Sequence, residues 1–273
     1  MTELNTGTDH LLGRIDGRVA VLSFNRPESR NALSEEMYRG FASALPQVRD
    51  NPDIRVLMVT GEGGAFCAGG DVKGFRASHQ SGGTPTTHEQ SLDHLRYIQA
   101  SVSLALRRLN KPVVAAVPGA AAGAGMSIAL AADLRVAAER SIFVSAFSTI
   151  GASGDFGSSW FLPRLIGEAK AKEFMFLSER VSAAEALDLG LVNRVLPDTG
   201  FDQAALDYCH HLAGRSPIAL RLIKENIHRS YDIGLAEALD AEATAMVRAM
   251  ATADHREAVA AFFDKRTPDY QGR

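Results

Sequence analysis

The sequence predicts an α/β core followed by an all-helical C-terminal region. Three observations predict it. Short apolar runs closed by glycine or proline recur ahead of helical patterns, as in IRVLMVTG (54–61) and KPVVAAV (111–117). The uncharged segment PVVAAVPGAAAGAGMSIALAA (112–132) divides at Pro118 and its glycines into a strand, a tight turn and a buried helix. From about residue 201 the apolar spacing stays helical to Phe263.

Each element has its own local reason. Residues 18–24 (RVAVLSF) read as a strand, and 11–15 pair with it across a hairpin at Gly17. The loop NRPESRNALS ends at Ser34, an N-cap for a helix over 35–50 whose apolar face carries Met37, Phe41, Ala44 and Val48. Pro46 weakens the end of that helix. The strand at 54–61 runs into a glycine-rich loop, EGGAFCAGGDVKGF, and residues 78–87 read as a polar excursion before a helix reaching about Leu109. LRVAAE and SIFVSA are two more short strands, and helices follow near 168–177 and 182–189. The second of these opens on a capping box, Ser182 to Glu185. GLVNRVLP is a last strand, and Ser216-Pro217 is an N-cap with a first-turn proline.

Composition narrows the function classes. The chain has 273 residues, 46% hydrophobic and 22% charged, the profile of a water-soluble globule. A net charge of −3, with no Lys/Arg run longer than two, argues against nucleic-acid binding. The 112–132 segment is long enough to span a bilayer, but Pro118, three glycines and nine alanines favour the buried strand–turn–helix. Two distant cysteines, Cys67 and Cys209, and an N-terminus with neither a basic n-region nor an apolar core point to a reducing, cytoplasmic setting. The histidines show no metal-ligand spacing, so no metal is expected.

One acid stands out. Across Ser141–Pro163 (SIFVSAFSTIGASGDFGSSWFLP) the only charged residue is Asp155, framed by glycines and serines. A carboxylate in apolar surroundings is held basic by desolvation, which suits a general base near neutral pH. Taken locally, the same aspartate is equally a helix or turn cap. Two glycine-rich turns after buried strands, AFCAGGD (65–71) and GAAAGAG (119–125), let a ligand approach the backbone. Converging N–H groups there would make an oxyanion hole, and the second turn opens a helix whose N-terminus favours negative charge. Neither turn fits a phosphate-binding P-loop, and no Gly-x-Ser-x-Gly elbow is present.

In several of these stretches the chain resembles the crotonase (enoyl-CoA hydratase/isomerase) family. LSFNRPESRNALS (22–34) is similar to its first CoA-contacting loop. GGAFCAGGDVKGF (63–75) and KPVVAAVPGAAAGAGMSIALAADLRVA (111–137) are similar to its two oxyanion signatures. AAEALDLGLVNRVLP (183–197) and FFDKRTPDYQGR (262–273) resemble later landmarks, in the family's order. The resemblance implies a spiral of ββα units over residues 1–200, carrying the acyl-CoA site, and a C-terminal helical trimerisation region over 201–273. It implies an acyl-CoA thioester as substrate, a homotrimer or dimer of trimers, and no cofactor beyond the coenzyme A of the substrate itself. By position, the N–H groups of Ala68 and Ala124 would hold the thioester oxygen. The second of these positions is usually glycine in the family.

The departures concern acids. The two glutamates that activate water in typical hydratases fall here at Ser127 and Phe147, so ordinary hydration lacks its acid and base. Asp155 lies where family members that shift double bonds, or isomerise strained acyl-CoA rings, place a single carboxylate. The resemblance therefore implies an enoyl-CoA isomerase with Asp155 as the catalytic base. A hydratase with an atypical site and a non-catalytic acyl-CoA-binding protein are the alternatives. Substrate contacts are expected from Ser29, Arg30 and Ala32 in the first loop, and from Phe66, Gly69, Gly70, Asp71 and Val72 in the first turn. Gly123, Ser127, Phe147 and Trp160 are expected around the acyl group, and Lys265 at a CoA phosphate. Cys67 reads as a small buried filler.

Overall fold

The computed structural model describes residues 2–71 and 87–273. Val72 and most of the expected polar excursion lie outside the described residues. Among the described residues the chain forms ten strands and ten α-helices of six residues or more, numbered in chain order. They begin with β1 (Thr2–Glu3), β2 (Leu11–Asp16), β3 (Val19–Phe24), α1 (Glu35–Asp50) and β4 (Val56–Gly61). There follow α2 (His88–Gln99), β5 (Val113–Val117), β6 (Ala121–Ala122), α3 (Ala124–Ala131), β7 (Leu134–Ala138) and β8 (Ile142–Val144). Next come α4 (Ser158–Ile166), α5 (Glu168–Leu177), β9 (Val181–Ser182), α6 (Ala183–Asp188) and β10 (Arg194–Leu196). The chain closes with α7 (Phe201–Ala213), α8 (Pro217–Arg229), α9 (Leu235–Met250) and α10 (Ala253–Asp264).

The main sheet has seven strands in the order β1-β2-β3-β4-β5-β7-β10, and a small sheet has the order β6-β8-β9. β1 to β3 are antiparallel, whereas β3, β4, β5, β7 and β10 pair in parallel. Parallel strands need crossover connections, and helices or the small sheet supply them. Both faces of the central strands β3, β4, β5 and β7 are covered, which is why these strands read as nearly continuous apolar runs. Alternate residues divide between two cores. Leu22, Phe24, Leu57, Val59, Val113 and Ala115 face α1 and α3, while Val19, Val21, Val56, Met58, Val114 and Val136 face α7.

The hairpin turns at Gly17 with φ +54. Ser34 caps α1 by accepting from the Met37 N–H at 3.3 Å, and Met37, Phe41, Ala44 and Val48 are all fully buried. α1 continues through Pro46 to Asp50, and at its C-terminal end Lys111 donates to the carbonyls of Val48 and Asn51, each at 2.5 Å. Residues 112–132 form β5, the short strand β6 and the wholly buried helix α3. Among the described residues, no helix is long and apolar enough to cross a membrane.

Three departures from the sequence reading are informative. Residues 158–166 form α4, a helix that the sequence reading did not assign; Gly157 starts it at φ +88 and Phe161 and Leu162 anchor it in the core. The helix leading to Leu109 widens into a π turn over Ala100–Leu104. The all-helical region begins with α7, which covers the second face of the main sheet through Phe201, Ala205, Leu206 and Cys209, so its first helix is part of the core. α8 is tied to the rest by a buried charge cluster. Lys224 donates to Asp133 Oδ2 at 2.7 Å and to the Lys111 carbonyl at 3.0 Å, and His228 lies 3.5 Å from Asp133.

Candidate active site

The two glycine-rich turns meet. Cys67 bridges to Ala121, and the Ala122 N–H donates to the Cys67 carbonyl at 2.9 Å. A side chain at Gly125 would fall 2.4 Å from the Cys67 carbonyl oxygen, so only glycine permits this approach. Gly69, at φ +88, sits equally close to the second turn, where an added Cβ would lie 3.2 Å from the Ala124 nitrogen. Gly69 and Ala124 are therefore in close backbone approach across the two turns.

The donors differ in availability. Ala124 is the first residue of α3, and no side chain caps that helix end. The first N–H groups of a helix lack intrahelical acceptors, so the Ala124 N–H is set for an external oxygen. The Ala68 N–H instead donates to the Arg30 carbonyl at 3.0 Å. One of the two donors expected of an oxyanion hole is thus engaged within the protein.

The first loop is fastened under these turns. Arg30 and Asn31 both take left-handed φ values, +52 and +59. Asn31 is fully buried; its amide donates to the carbonyls of Glu62 and Ala65 at 2.9 Å, and its oxygen accepts from the Arg26 N–H at 2.8 Å. Ser29 turns its hydroxyl onto the Arg26 carbonyl at 3.1 Å, and Ala32 is buried. The Asp71 carboxylate lies 3.6 Å from the Arg26 guanidinium. Asn31 carries this junction, yet nothing in its spacing marks it.

Several expected contact residues prove to be inward-facing. Phe66 is fully buried and edge-on to Phe24 at 5.3 Å, so it belongs to the core rather than to an acyl pocket. Ser127 is also fully buried, with its hydroxyl folded back on the Gly123 carbonyl at 3.1 Å. Gly123 itself, at φ +52, donates to the Val144 carbonyl. Phe147 lines a separate groove of about 670 Å³ between residues 148–153 and the helices α4 and α5. Trp160 packs between Arg164, 4.0 Å from its ring centre, and Arg107 at 5.1 Å. Gly70 is half-buried, and Lys265 is the exposed left-handed cap of α10.

Asp155 does not cap α4; that position is Gly157. Its Oδ1 accepts from the Gln99 amide at 2.5 Å and from the Phe156 N–H at 2.7 Å. Burial pushes its carboxyl above the usual range, and these two hydrogen bonds only partly oppose that. The local chain is unusual: Gly154, Phe156 and Gly157 all have positive φ, and Phe156 is held there by stacking on Tyr38 at 5.9 Å. Burial raises the Tyr38 hydroxyl, with further contributions from Glu35, Cys67 and Asp155, so Asp155 shares an electrostatic neighbourhood with the first turn. Burial also pushes the Cys67 thiol up to about 12, leaving it neutral. A groove of about 380 Å³ beside the pair is lined by Gln99, Ser103, Arg107, Phe156 and Trp160 among others. Among the described residues, no cluster of His, Cys, Asp or Glu is placed to hold a metal ion.

Residues 14–273 match the Enoyl-CoA hydratase/isomerase family. The chain belongs to it. It is an enzyme chain of the enoyl-CoA isomerase or hydratase kind. It is similar to the 1,2-epoxyphenylacetyl-CoA isomerase of Escherichia coli strain K12, at 36% identity over 97% of this chain and 99% of that protein. Among solved structures it is similar to an enoyl-CoA hydratase from Polaromonas sp. JS666, with TM-score 0.88 and 38% identity over 95% of this chain and 99% of that one. An enoyl-CoA hydratase from Bacillus anthracis gives TM-score 0.89 and 33% identity over 97% of this chain and 100% of that one. These solved relatives carry the same crotonase fold as the two sheets and helices described above. Within this enoyl-CoA hydratase/isomerase chain, the meeting of two glycine turns at Ala124 and the lone Asp155 carboxylate form the candidate centre.

Proposed function

We propose that this chain isomerises an acyl-CoA thioester by moving one proton with one carboxylate. Asp155 removes a proton from a carbon beside the double bond, the electron pair delocalises onto the thioester oxygen as a dienolate, and the Asp155 carboxyl returns the proton to another carbon. Backbone N–H groups hold that oxygen. Ala124 supplies the standing donor, and Ala68 exchanges the Arg30 carbonyl for the thioester oxygen. The observation that carries this reading is a partly buried carboxylate anchored through one oxygen, with Ser127 and Phe147 bringing no further acid. The relative named as an isomerase of 1,2-epoxyphenylacetyl-CoA supports it. Coenzyme A enters with the substrate, its nucleotide end placed near Ser29, Arg30 and Lys265, and no separate cofactor takes part.

Residues 1–200 carry the site in this proposal, and the chain beyond α7 serves assembly into a trimer or a dimer of trimers. Unpaired Cys67 and Cys209 accord with a cytoplasmic location. Following conversion of 3-enoyl-CoA to conjugated 2-enoyl-CoA tests the function. Asp155→Asn should slow it by about 10²–10⁴-fold; an unchanged rate would remove Asp155 from the mechanism. Two similar solved structures bear the name hydratase, so addition of water to crotonyl-CoA is the second assay. Rapid hydration without isomerisation would replace the isomerase reading.

A further inference from the structure

We propose that Gln99 is a positioning residue that pins one oxygen of the Asp155 carboxylate and leaves the other to exchange protons with the substrate. The inference rests on Asp155 being the base. Both hydrogen bonds to the carboxylate converge on Oδ1, from the Gln99 amide at 2.5 Å and the Phe156 N–H at 2.7 Å. Among the described residues, none falls on Oδ2. An ionised carboxylate offers acceptor sites on both oxygens, and two donors on one of them make the other the stronger base and fix its direction.

Two irregular pieces of backbone flank this contact. On the Asp155 side, Gly154, Phe156 and Gly157 hold positive φ values of +114, +49 and +88. A bulky residue there is strained, and such strain persists only when its surroundings enforce it; here the buried Phe156 ring stacks on Tyr38. On the other side, Gln99 is the last residue of α2, and the next residues, Ala100–Leu104, form the π turn. A π turn inserts extra chain and rotates the side-chain register of the helix; such turns are frequent at functional sites. Buried Val102 and Ser103 anchor it against α1 and α3.

The chemistry of the amide matters. Gln99 does not titrate, so it donates at every pH and favours the ionised base, against the burial that raises it. Other titratable groups in this neighbourhood include Glu35 and Tyr38 of α1, Cys67 of the first turn, and Arg96 and Arg107 bordering the groove beside Gln99. Tyr38 and Cys67 are held neutral by burial.

The test compares wild type, Gln99→Leu, Gln99→Glu and Asp155→Asn. Two readouts are used: pH profiles of 3-enoyl-CoA isomerisation, and titration of the Asp155 carboxyl in the free enzyme by carbon NMR, which needs no substrate. Gln99→Leu should lower kcat about ten- to a hundredfold with little change in KM. It should also move the acid limb, and the NMR titration of Asp155, to higher pH. Gln99→Glu should move both further, because two carboxyls then share one site. If Asp155→Asn is inactive but Gln99→Leu keeps the wild-type rate and titration, the positioning role is wrong and the base assignment stands. A slower Gln99→Leu whose titration is unmoved shows a merely structural glutamine and also overturns the proposal. A fully active Asp155→Asn ends both readings.

Discussion

At the scale of single residues, the site is defined by what each polar group already touches. Asp155 was legible as an isolated acid because its segment is otherwise uncharged; its partner was not, because Gln99 lies 56 positions away and is an ordinary helix residue until the fold brings it close. Burial raises the Asp155 carboxyl more than its two hydrogen bonds lower it. Two consequences have opposite signs. The base must be ionised, so kcat/KM should fall with acid along a limb lying above the ordinary aspartate value of about 3.9. A carboxyl raised in the folded state binds its proton more tightly than in the unfolded chain. Its stabilising contribution is therefore complete below about pH 3.9 and lost as pH rises through the raised value. Asp155→Asn should be inactive yet resist heat better than wild type above that window, as catalytic residues often do when neutralised. Unfolding temperatures measured across pH decide this; a variant less stable than wild type at neutral pH would contradict it.

At the scale of elements, most boundaries were readable from short-range signals. Ser34 and Ser216 cap their helices as the sequence indicates, and Ser182 and Glu185 form the capping box. An equal signal, Thr87 with Gln90, opens α2 and was present in the sequence. α4 has a weak local signal, since Gly157 and Pro163 disfavour helix, while the burial of Phe161 and Leu162 that stabilises it is a tertiary effect. The junction between the first loop and the first glycine turn depends on Asn31. Asn31→Ala removes two donors and puts alanine at φ +59, and should destabilise the protein by about 1–3 kcal/mol. Urea unfolding checks the stability, and isomerisation should slow in parallel because the Ala68 turn loses its support. Unchanged stability would show that water replaces both donors.

At the scale of the whole molecule, the covered sheet and the exposed C-terminal helices behave differently. The central strands of the main sheet are buried on both faces. In contrast, Leu235 and Val247 on α9 are 76% and 70% exposed, and Phe262 and Phe263 on α10 are 79% and 77% exposed. Large exposed apolar side chains of this kind are what the proposed assembly would cover. Val247→Glu and Phe262→Asp should shift the protein from trimer or hexamer to monomer in sedimentation velocity; a native chain that is already monomeric would refute the assembly. The amino-acid sequence by itself determined most of the longer strands and helices, their buried faces and the two glycine turns, because periodicity, caps and glycine conformations act over a few residues. Only the tertiary structure decided that Ala68 is held by Arg30 while Ala124 stands open, that Phe66 is core, and that Asp155 is gripped by Gln99. Those outcomes depend on which distant backbone and side-chain groups packing brings within 3 Å or so of one another, and no local pattern encodes that.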